Sequence, residues 1–288
     1  MKVQVCLWAT AFVAIGSTGS LVAGSYDYEA AVKSRGAFDA KAAAASRSTA
    51  YDYKAAAAAR GPVAEFQSKT ALTYTDAKGM PANVTNAAEW YRKLAEKGDA
   101  GAQLCLGVKY DTGEGVTQDY AEALKWYRKA ADQGNADANI ALADMYSSGR
   151  GVAKDTVAAK AYLYKAATAG SVAGQYMYAN ACYNQAPKSV AEAAIWYRKA
   201  ADQGSIPGQY MLGQLYSKGE GVPQSYAEAE KLWRLAADKG NSDAQYSLGF
   251  MYQNGKGVAK NLVEAAKWYR LAADQGNGAA KGMLDELR

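Results

Sequence analysis

Four glycine-rich segments of the form Gly-x-Gly-Val are candidates for phosphate binding, because closely spaced glycines let backbone N–H groups approach a phosphate. They begin at Gly113, Gly149, Gly219 and Gly255. None is followed by Gly-Lys-Ser/Thr or preceded by a clear strand pattern, as a phosphate-binding loop would be. Four copies of one loop instead predict a turn between paired helices.

A recurring row of arginines is the second candidate, since such a row could follow the phosphates of a nucleic acid. Its members are Arg92, Arg128, Arg198, Arg234 and Arg270. An acidic residue follows each of them by four positions: Glu96, Asp132, Asp202, Asp238 and Asp274. We therefore expect ion pairs along one helix face. With a net charge of only +5, the chain is not expected to bind nucleic acid.

The sequence offers little for catalysis. It contains no histidine, which excludes Ser-His-Asp and Cys-His catalysis and histidine metal ligands. The patterns Ser-x-x-Lys, Gly-x-Ser-x-Gly and His-Glu-x-x-His are also absent. We expect no enzyme activity, no cofactor and no metal site.

The N-terminus has the pattern of a secretory signal peptide. A single Lys2 precedes an apolar run from Val3 to Ile15, and small residues follow. The run is too short to cross a bilayer comfortably, since a span needs about 20 residues. Cleavage after Gly24 or after Ser20 fits the pattern, and an uncleaved anchor is the alternative. We expect a protein exported to the periplasm or secreted.

The rest of the sequence repeats itself with a period of about 36 residues. Trp90, Trp126 and Trp268 occupy equivalent positions. The units run over 66–98, 99–134, 135–170, 171–204, 205–240 and 241–276, and a half unit, 277–288, follows. The unit 171–204 is two residues shorter because it lacks the glycine loop, which predicts a local change of curvature.

Each unit reads as two helices with their own start and stop signals. N-cap residues for the second helices are Asn83, Asp119, Asp155, Ser189, Ser225 and Asn261. Ser189 with Glu192 and Ser225 with Glu228 would form capping boxes. A glycine ends each second helix, and the next residue can cap the following first helix: Asp99, Asn135, Ser171, Ser205, Asn241 or Asn277.

The cysteines are Cys6, Cys105 and Cys182. Cys105 and Cys182 fall in first helices two units apart, which would separate them by roughly 20 Å. A disulfide needs Cα atoms closer than about 7 Å. We expect two free, mostly buried thiols.

This repeat resembles the Sel1-like repeat, a relative of the tetratricopeptide repeat. The residues that carry the resemblance are Ala102, Leu106, Gly107 and Tyr110 of A-x-x-x-L-G-x-x-Y, the G-x-G-V loop, D-Y-x-x-A-x-x-W-Y and A-A-x-x-G-[DNS]. The resemblance implies an all-α fold, a right-handed α-solenoid of stacked helical hairpins over 66–288. It also implies an adaptor that holds proteins, often in an exported or lumenal setting. The alanine-rich segment 25–65 would be partly helical and peripheral to this solenoid.

The first helices would line the inner, concave surface of such a solenoid. The face beside their packing positions begins with Leu104, Val108 and Asp111 and continues through Ile140 and Asp144. In the next three units it carries Tyr176, Asn180, Tyr210, Gln214, Tyr246 and Phe250. These residues vary between units, and tyrosine offers contact area at low entropic cost, so we interpret them as a peptide-binding groove. The alternative is that the rings only cover the next helix.

Taken together, the sequence predicts an exported, monomeric scaffold that binds a protein or peptide partner in the cell envelope and meets a membrane only through that partner. An alternative is an envelope hydrolase or binder acting on peptidoglycan or β-lactams. A purely structural element is a third possibility.

Overall fold

The computed structural model describes residues 84–185 and 188–287, with side chains from Ala87 onward. These residues form twelve α-helices and no strand. The helices are α1 Val84–Glu96, α2 Ala100–Thr112, α3 Tyr120–Asp132, α4 Ala136–Ser148, α5 Thr156–Thr168, α6 Val172–Asn184, α7 Val190–Asp202, α8 Ile206–Lys218, α9 Tyr226–Asp238, α10 Ser242–Asn254, α11 Leu262–Asp274 and α12 Gly278–Glu286. The proposed signal peptide, Cys6, the segment 25–65 and the cap Asn83 lie outside the described residues.

Consecutive helices pack as a stack of hairpins. The hairpins are α2 with α3, α4 with α5, α6 with α7, α8 with α9 and α10 with α11. Each second helix also packs on the first helix of the next repeat, as α1 does on α2 and α11 on α12. Each repeat therefore meets only its neighbours, which is the architecture of an α-solenoid and confirms the predicted fold class.

Most helix ends follow the predicted capping pattern. All six residues expected to cap first helices accept a backbone N–H through their side chains. So do Asp119, Asp155, Ser225 and Asn261 at the second helices. The glycines that close the second helices have φ between 83° and 95°, the left-handed conformation that a C-cap requires.

The two predicted capping boxes are wrong. Ser189 makes no side-chain cap hydrogen bond. Glu192 instead accepts a hydrogen bond of 2.7 Å from the hydroxyl of Tyr178, which draws its carboxylate away from the helix start. Ser225 does cap the N–H of Glu228, but its own N–H donates to the carbonyl of Tyr216, so only half of that box forms.

The second glycine of each loop is needed for packing between repeats. A Cβ added to Gly151 would lie 2.7 Å from Cβ of Tyr120, and one added to Gly257 would lie 2.2 Å from Cβ of Tyr226. In both cases the loop lies against the start of the preceding repeat's second helix. The loops are therefore turns between paired helices, as the sequence predicted, and they also join neighbouring repeats, which it did not predict.

The predicted pairing of the arginine row with acids four residues later is wrong. Four arginines donate instead to a tyrosine hydroxyl 18 residues further on, on the first helix of the next repeat. The pairs are Arg92–Tyr110 at 2.5 Å, Arg128–Tyr146 at 2.7 Å, Arg198–Tyr216, and Arg234–Tyr252 at 2.8 Å. Four arginines of the row thus join consecutive repeats, and Arg234 also forms an ion pair with Glu230 of its own helix.

The Arg–Tyr pair is absent at the boundary between α5 and α6. Tyr164 stands where the arginine would be, and Cys182 stands where its tyrosine would be. The ring of Tyr164 lies 5.2 Å from that of Tyr178 and 6.0 Å from that of Trp196, measured between ring centroids. An aromatic cluster therefore takes the place of the polar contact.

A hydrogen-bonded pair of glutamines, with an exposed donor and a buried acceptor, recurs within the repeats. The pairs are Gln133 to Gln103 at 2.7 Å, Gln203 to Gln175 at 2.8 Å and Gln275 to Gln245 at 2.7 Å. Ala169 and Lys239 occupy the donor position in the other two repeats. There, the buried side-chain oxygens of Asn139 and Gln209 have no hydrogen-bond partner within the part of the chain that the structure describes.

Both cysteines in the described range are buried free thiols, as predicted. Burial raises the pKa of Cys105 to about 12, so its thiol stays neutral at physiological pH. Across 84–185 and 188–287, every helix is too short or too polar to cross a membrane.

Candidate interaction groove

The six residues predicted to form a groove lie on three consecutive first helices. Tyr176 and Asn180 belong to α6, Tyr210 and Gln214 to α8, and Tyr246 and Phe250 to α10. All six are partly accessible, and Phe250 is the most exposed, at 37%. We call these six residues the first-helix face.

The face does not continue into the earlier repeats in the predicted form. Leu104 and Ile140 are fully buried, and Asp111 is only 7% exposed. Leu104 packs among Ala123, Leu124 and other core residues, because an aliphatic side chain at this position folds inward against the second helix. The expectation of an open surface at Leu104, Ile140 and Asp111 is therefore wrong.

Three of the six predicted residues line one pocket of about 240 Å³ between α8 and α10: Gln214, Tyr246 and Phe250. The other lining residues are Ser217, Tyr226, Trp233, Ser247, Met251 and Lys256. Tyr210 adjoins this set, since its hydroxyl accepts a hydrogen bond of 2.9 Å from Nε2 of Gln214. The pocket has aromatic walls, two small hydroxyls and one cation.

Tyr176 and Asn180 lie outside this pocket and are held by the second helix of their own repeat. The ring centroid of Tyr176 is 5.9 Å from that of Tyr197, and the Tyr197 hydroxyl donates to Oδ1 of Asn180 at 2.5 Å. The ring of Tyr246 lies 5.6 Å from that of Tyr269 in the same way. The rings of Tyr176 and Tyr246 thus cover the next helix, as the alternative interpretation expected, and each also keeps an accessible part.

In several repeats, an aromatic side chain of the second helix donates a hydrogen bond to a polar group of the first helix. The hydroxyls of Tyr127, Tyr197 and Tyr269 donate to Asp111, Asn180 and Gln253, at 3.4, 2.5 and 2.6 Å. The indole of Trp233 donates to the carbonyl of Tyr210 at 3.2 Å. Burial raises the pKa of all three tyrosines, so they remain neutral donors. Within the first-helix face, the side chain of Asn180 and the backbone of Tyr210 are thereby held in place.

The residue between the two glycines of each loop is a feature that the sequence reasoning missed. It is Glu114, Arg150, Glu220 or Lys256. Arg150 binds Asp111 of the preceding repeat at 2.7 Å and also Asp144. Glu220 likewise accepts a hydrogen bond of 3.0 Å from Tyr183 of the preceding repeat, and Glu114 pairs with Lys109 at 2.9 Å. The sequence did contain a signal for this role, because the charge of the residue between the two glycines changes from one loop to the next.

Arg150 serves two carboxylates at once. Burial raises the pKa of Asp111, and the nearby guanidinium of Arg150 acts in the opposite direction. Tyr127 adds a hydrogen bond to the same carboxyl. The cluster joins two repeats. In the described residues, no group of three His, Cys, Asp or Glu side chains is arranged to hold a metal ion.

The sequence matches the model of the Sel1 repeat six times in succession. The matches cover 64–99, 100–135, 136–171, 172–205, 206–241 and 242–277, close to the units read from the sequence. No curated protein matches the sequence.

The solved structures similar to this chain include two with at least 28% sequence identity. One is a protective antigen of uropathogenic Escherichia coli with an SLR fold, 36% identical over 77% of this chain with a TM-score of 0.70. The match takes in 48% of that antigen, so this chain spans about half its length. The other is a Sel1 repeat protein from Oxalobacter formigenes, 28% identical over 76% of this chain and 86% of its own, with a TM-score of 0.64. On the repeats, the capped hairpins and these matches, the chain belongs to the Sel1 repeat family.

Proposed function

We propose that this protein is an exported adaptor that binds a protein or peptide partner of the cell envelope on its first-helix face, the concave side of the solenoid. Sel1 repeat proteins are generally protein-interaction scaffolds and are typically non-catalytic. To this general role our proposal adds the location of the protein, the face that binds and the type of partner. The protein acts as a monomer and reaches a membrane only through its partner.

One observation carries the proposal. The helix-packing positions repeat from unit to unit, whereas the first-helix face varies and keeps tyrosine, amide and phenylalanine side chains accessible around a pocket. Preorganised aromatic and amide groups suit recognition of a peptide, because little side-chain entropy is lost on binding.

The binding face can be tested by cross-linking the chain without residues 1–24 in a cell-envelope extract. The informative variant is Gln214→Ala with Phe250→Ala, because these side chains line the pocket and Phe250 is exposed. Leu271→Ala is the control, since Leu271 is 42% exposed on α11 and lies outside the pocket lining. We expect one cross-linked protein to disappear with the double variant, to persist with the control, and to bind the purified chain in calorimetry.

An identical set of cross-linked proteins from the double variant and the wild type would contradict binding on this face. Circular dichroism of both variants establishes that they are folded. Export has its own test, a fusion of residues 1–24 to alkaline phosphatase, which is active only outside the cytoplasm. We expect activity that is lost when residues 3–15 are deleted, and an inactive fusion would contradict export.

A further inference from the structure

Lys256 differs from the three other residues at the same position of the loop. Glu114, Arg150 and Glu220 each have a polar or charged partner within the protein. Lys256 lies 5.2 Å from the ring centroid of Phe250, and no carboxylate of residues 87–185 or 188–287 forms an ion pair with it. It is a cation held beside an exposed aromatic ring.

The missing partner has a cause in the sequence. Arg150 and Glu220 reach a residue in the last turn of the preceding first helix, Asp111 or Tyr183. The equivalent residue before Lys256 is Ser217, whose short hydroxyl donates to the carbonyl of Gln214 in its own helix. Ser217 therefore does not fill the space between α8 and the loop, and this space is part of the pocket.

The pocket walls define what would fit beside this cation. Trp233 and Met251 are buried and contribute an apolar floor, while Tyr226, Tyr246 and Phe250 form the walls. A volume of about 240 Å³ is below the usual range of small-molecule sites, roughly 300–1,000 Å³. It suits a single large side chain. Gln214 and Ser217 add polar groups at the edge, where a peptide backbone would pass.

We propose that this pocket takes an aromatic or branched aliphatic side chain of an extended peptide segment, and that Lys256 binds an Asp or Glu side chain next to it in that segment. This inference rests on the proposed function and names the partner's chemistry.

The charge contributes selectivity more than affinity. An exposed ion pair contributes little to affinity, but a like charge at the same place is strongly unfavourable. The apolar side chain in the pocket supplies most of the contact area. Reversing the charge at Lys256 should therefore change which peptides bind, while the pocket continues to accept an apolar side chain.

The test is selection from a random dodecapeptide display library on the chain without residues 1–24. We expect enriched peptides that carry Phe, Tyr, Trp, Leu or Ile within two positions of Asp or Glu. The best peptide, made with an amidated C-terminus, should bind Lys256→Glu about tenfold more weakly in fluorescence polarisation. Lys260→Glu is the matched control, since it reverses the charge of an exposed lysine close by in the chain and outside the pocket lining.

Exchange of the charges gives the sharpest result. The same peptide with its acid replaced by Lys should recover binding to Lys256→Glu. The inference is overturned if no peptide is enriched, if the enriched peptides lack an acid, if a free C-terminus is required, or if both lysine variants weaken binding equally. If the cross-linked partner still depends on Gln214 and Phe250 in any of these cases, the adaptor function stands and only the partner chemistry is wrong.

Discussion

Consecutive repeats are joined by different side-chain contacts at the α5–α6 boundary and at the four Arg–Tyr boundaries. At the regular boundaries a partly exposed arginine donates to a tyrosine of the next repeat. At α5–α6, Tyr164 and Cys182 replace both partners together, and the rings of Tyr164, Tyr178 and Trp196 come together. The polar joint orients neighbouring repeats, whereas the aromatic joint contributes apolar burial, so the two should differ in stability.

The largest effect should follow truncation of Trp196, which belongs both to the aromatic joint and to the core of its own repeat. Trp196→Ala deletes a side chain that is only 8% exposed, and such changes cost about 3–5 kcal/mol. Arg198→Ala, at the adjacent regular boundary, should cost about 1 kcal/mol. Urea unfolding of both variants measures the difference. Equal losses would mean that the aromatic joint contributes no more than the polar one.

The second contrast is between Gly174 and Gly208, two glycines that lie close to the preceding helix but differ in the space left for a Cβ atom. A Cβ added to Gly174 would lie 2.8 Å from the backbone carbonyl carbon of Ala166, which cannot move aside. Gly174→Ala should therefore cost about 1–3 kcal/mol of unfolding free energy. At Gly208 the nearest atoms are side-chain atoms at 3.1 Å, and alanine is the better helix former by about 1 kcal/mol. Gly208→Ala should change stability by less than about 1 kcal/mol, and a ranking of the two variants in the opposite order would contradict this contrast.

The buried amides offer a gain in stability. Lys239→Gln would place a donor opposite the unpartnered Oε1 of Gln209, in the arrangement that Gln203 and Gln175 already have. A partly buried hydrogen bond of this kind contributes about 1 kcal/mol. Thermal unfolding should shift upward by a few degrees relative to wild type. Gln203→Ala should shift it downward, and a Lys239→Gln protein no more stable than wild type would show that water already satisfies Gln209.

The smallest effect should come from a regular boundary. Tyr146→Phe removes the acceptor of Arg128, and a partly exposed hydrogen bond of this kind is worth about 0.5–1 kcal/mol. Circular dichroism should show an unchanged fold and a small decrease in unfolding free energy. A loss above about 2 kcal/mol would make the Arg–Tyr pairs the principal joints of the stack.

The sequence was sufficient for the architecture because the signals are local. Caps such as Asp119 and the glycine at the end of each second helix act on the nearest turn, and the structure shows them where they were expected. Ser189 makes no side-chain cap hydrogen bond, and the carboxylate of Glu192 accepts from Tyr178 of another helix instead of completing the box. A pattern within one helix carries no information about that competition.

Contacts between helices also explain why the sequence did not predict the partners of the arginine row or the lining of the pocket. Arg128 has Asp132 four residues away in sequence, yet Tyr146 lies closer to it once the next repeat stacks. The six predicted groove residues lie on α6, α8 and α10 and are partly accessible, whereas Leu104 and Ile140 turn inward because aliphatic side chains gain more by burial. The role of Lys256 depends on Ser217 of the preceding repeat, which becomes visible only when the helices are packed.

The Arg–Tyr contact also bears on how such a chain can gain or lose repeats. Each pair joins residues 18 apart across a boundary, so removing the whole repeat 206–241 would set Arg198 opposite Tyr252, an equivalent partner. Removing 136–171 would set Arg128 opposite Cys182 and leave Trp196 without Tyr164. We therefore expect in-frame loss of a repeat to preserve the stacking contacts at the regular boundaries, whereas loss of 136–171 alone would break them.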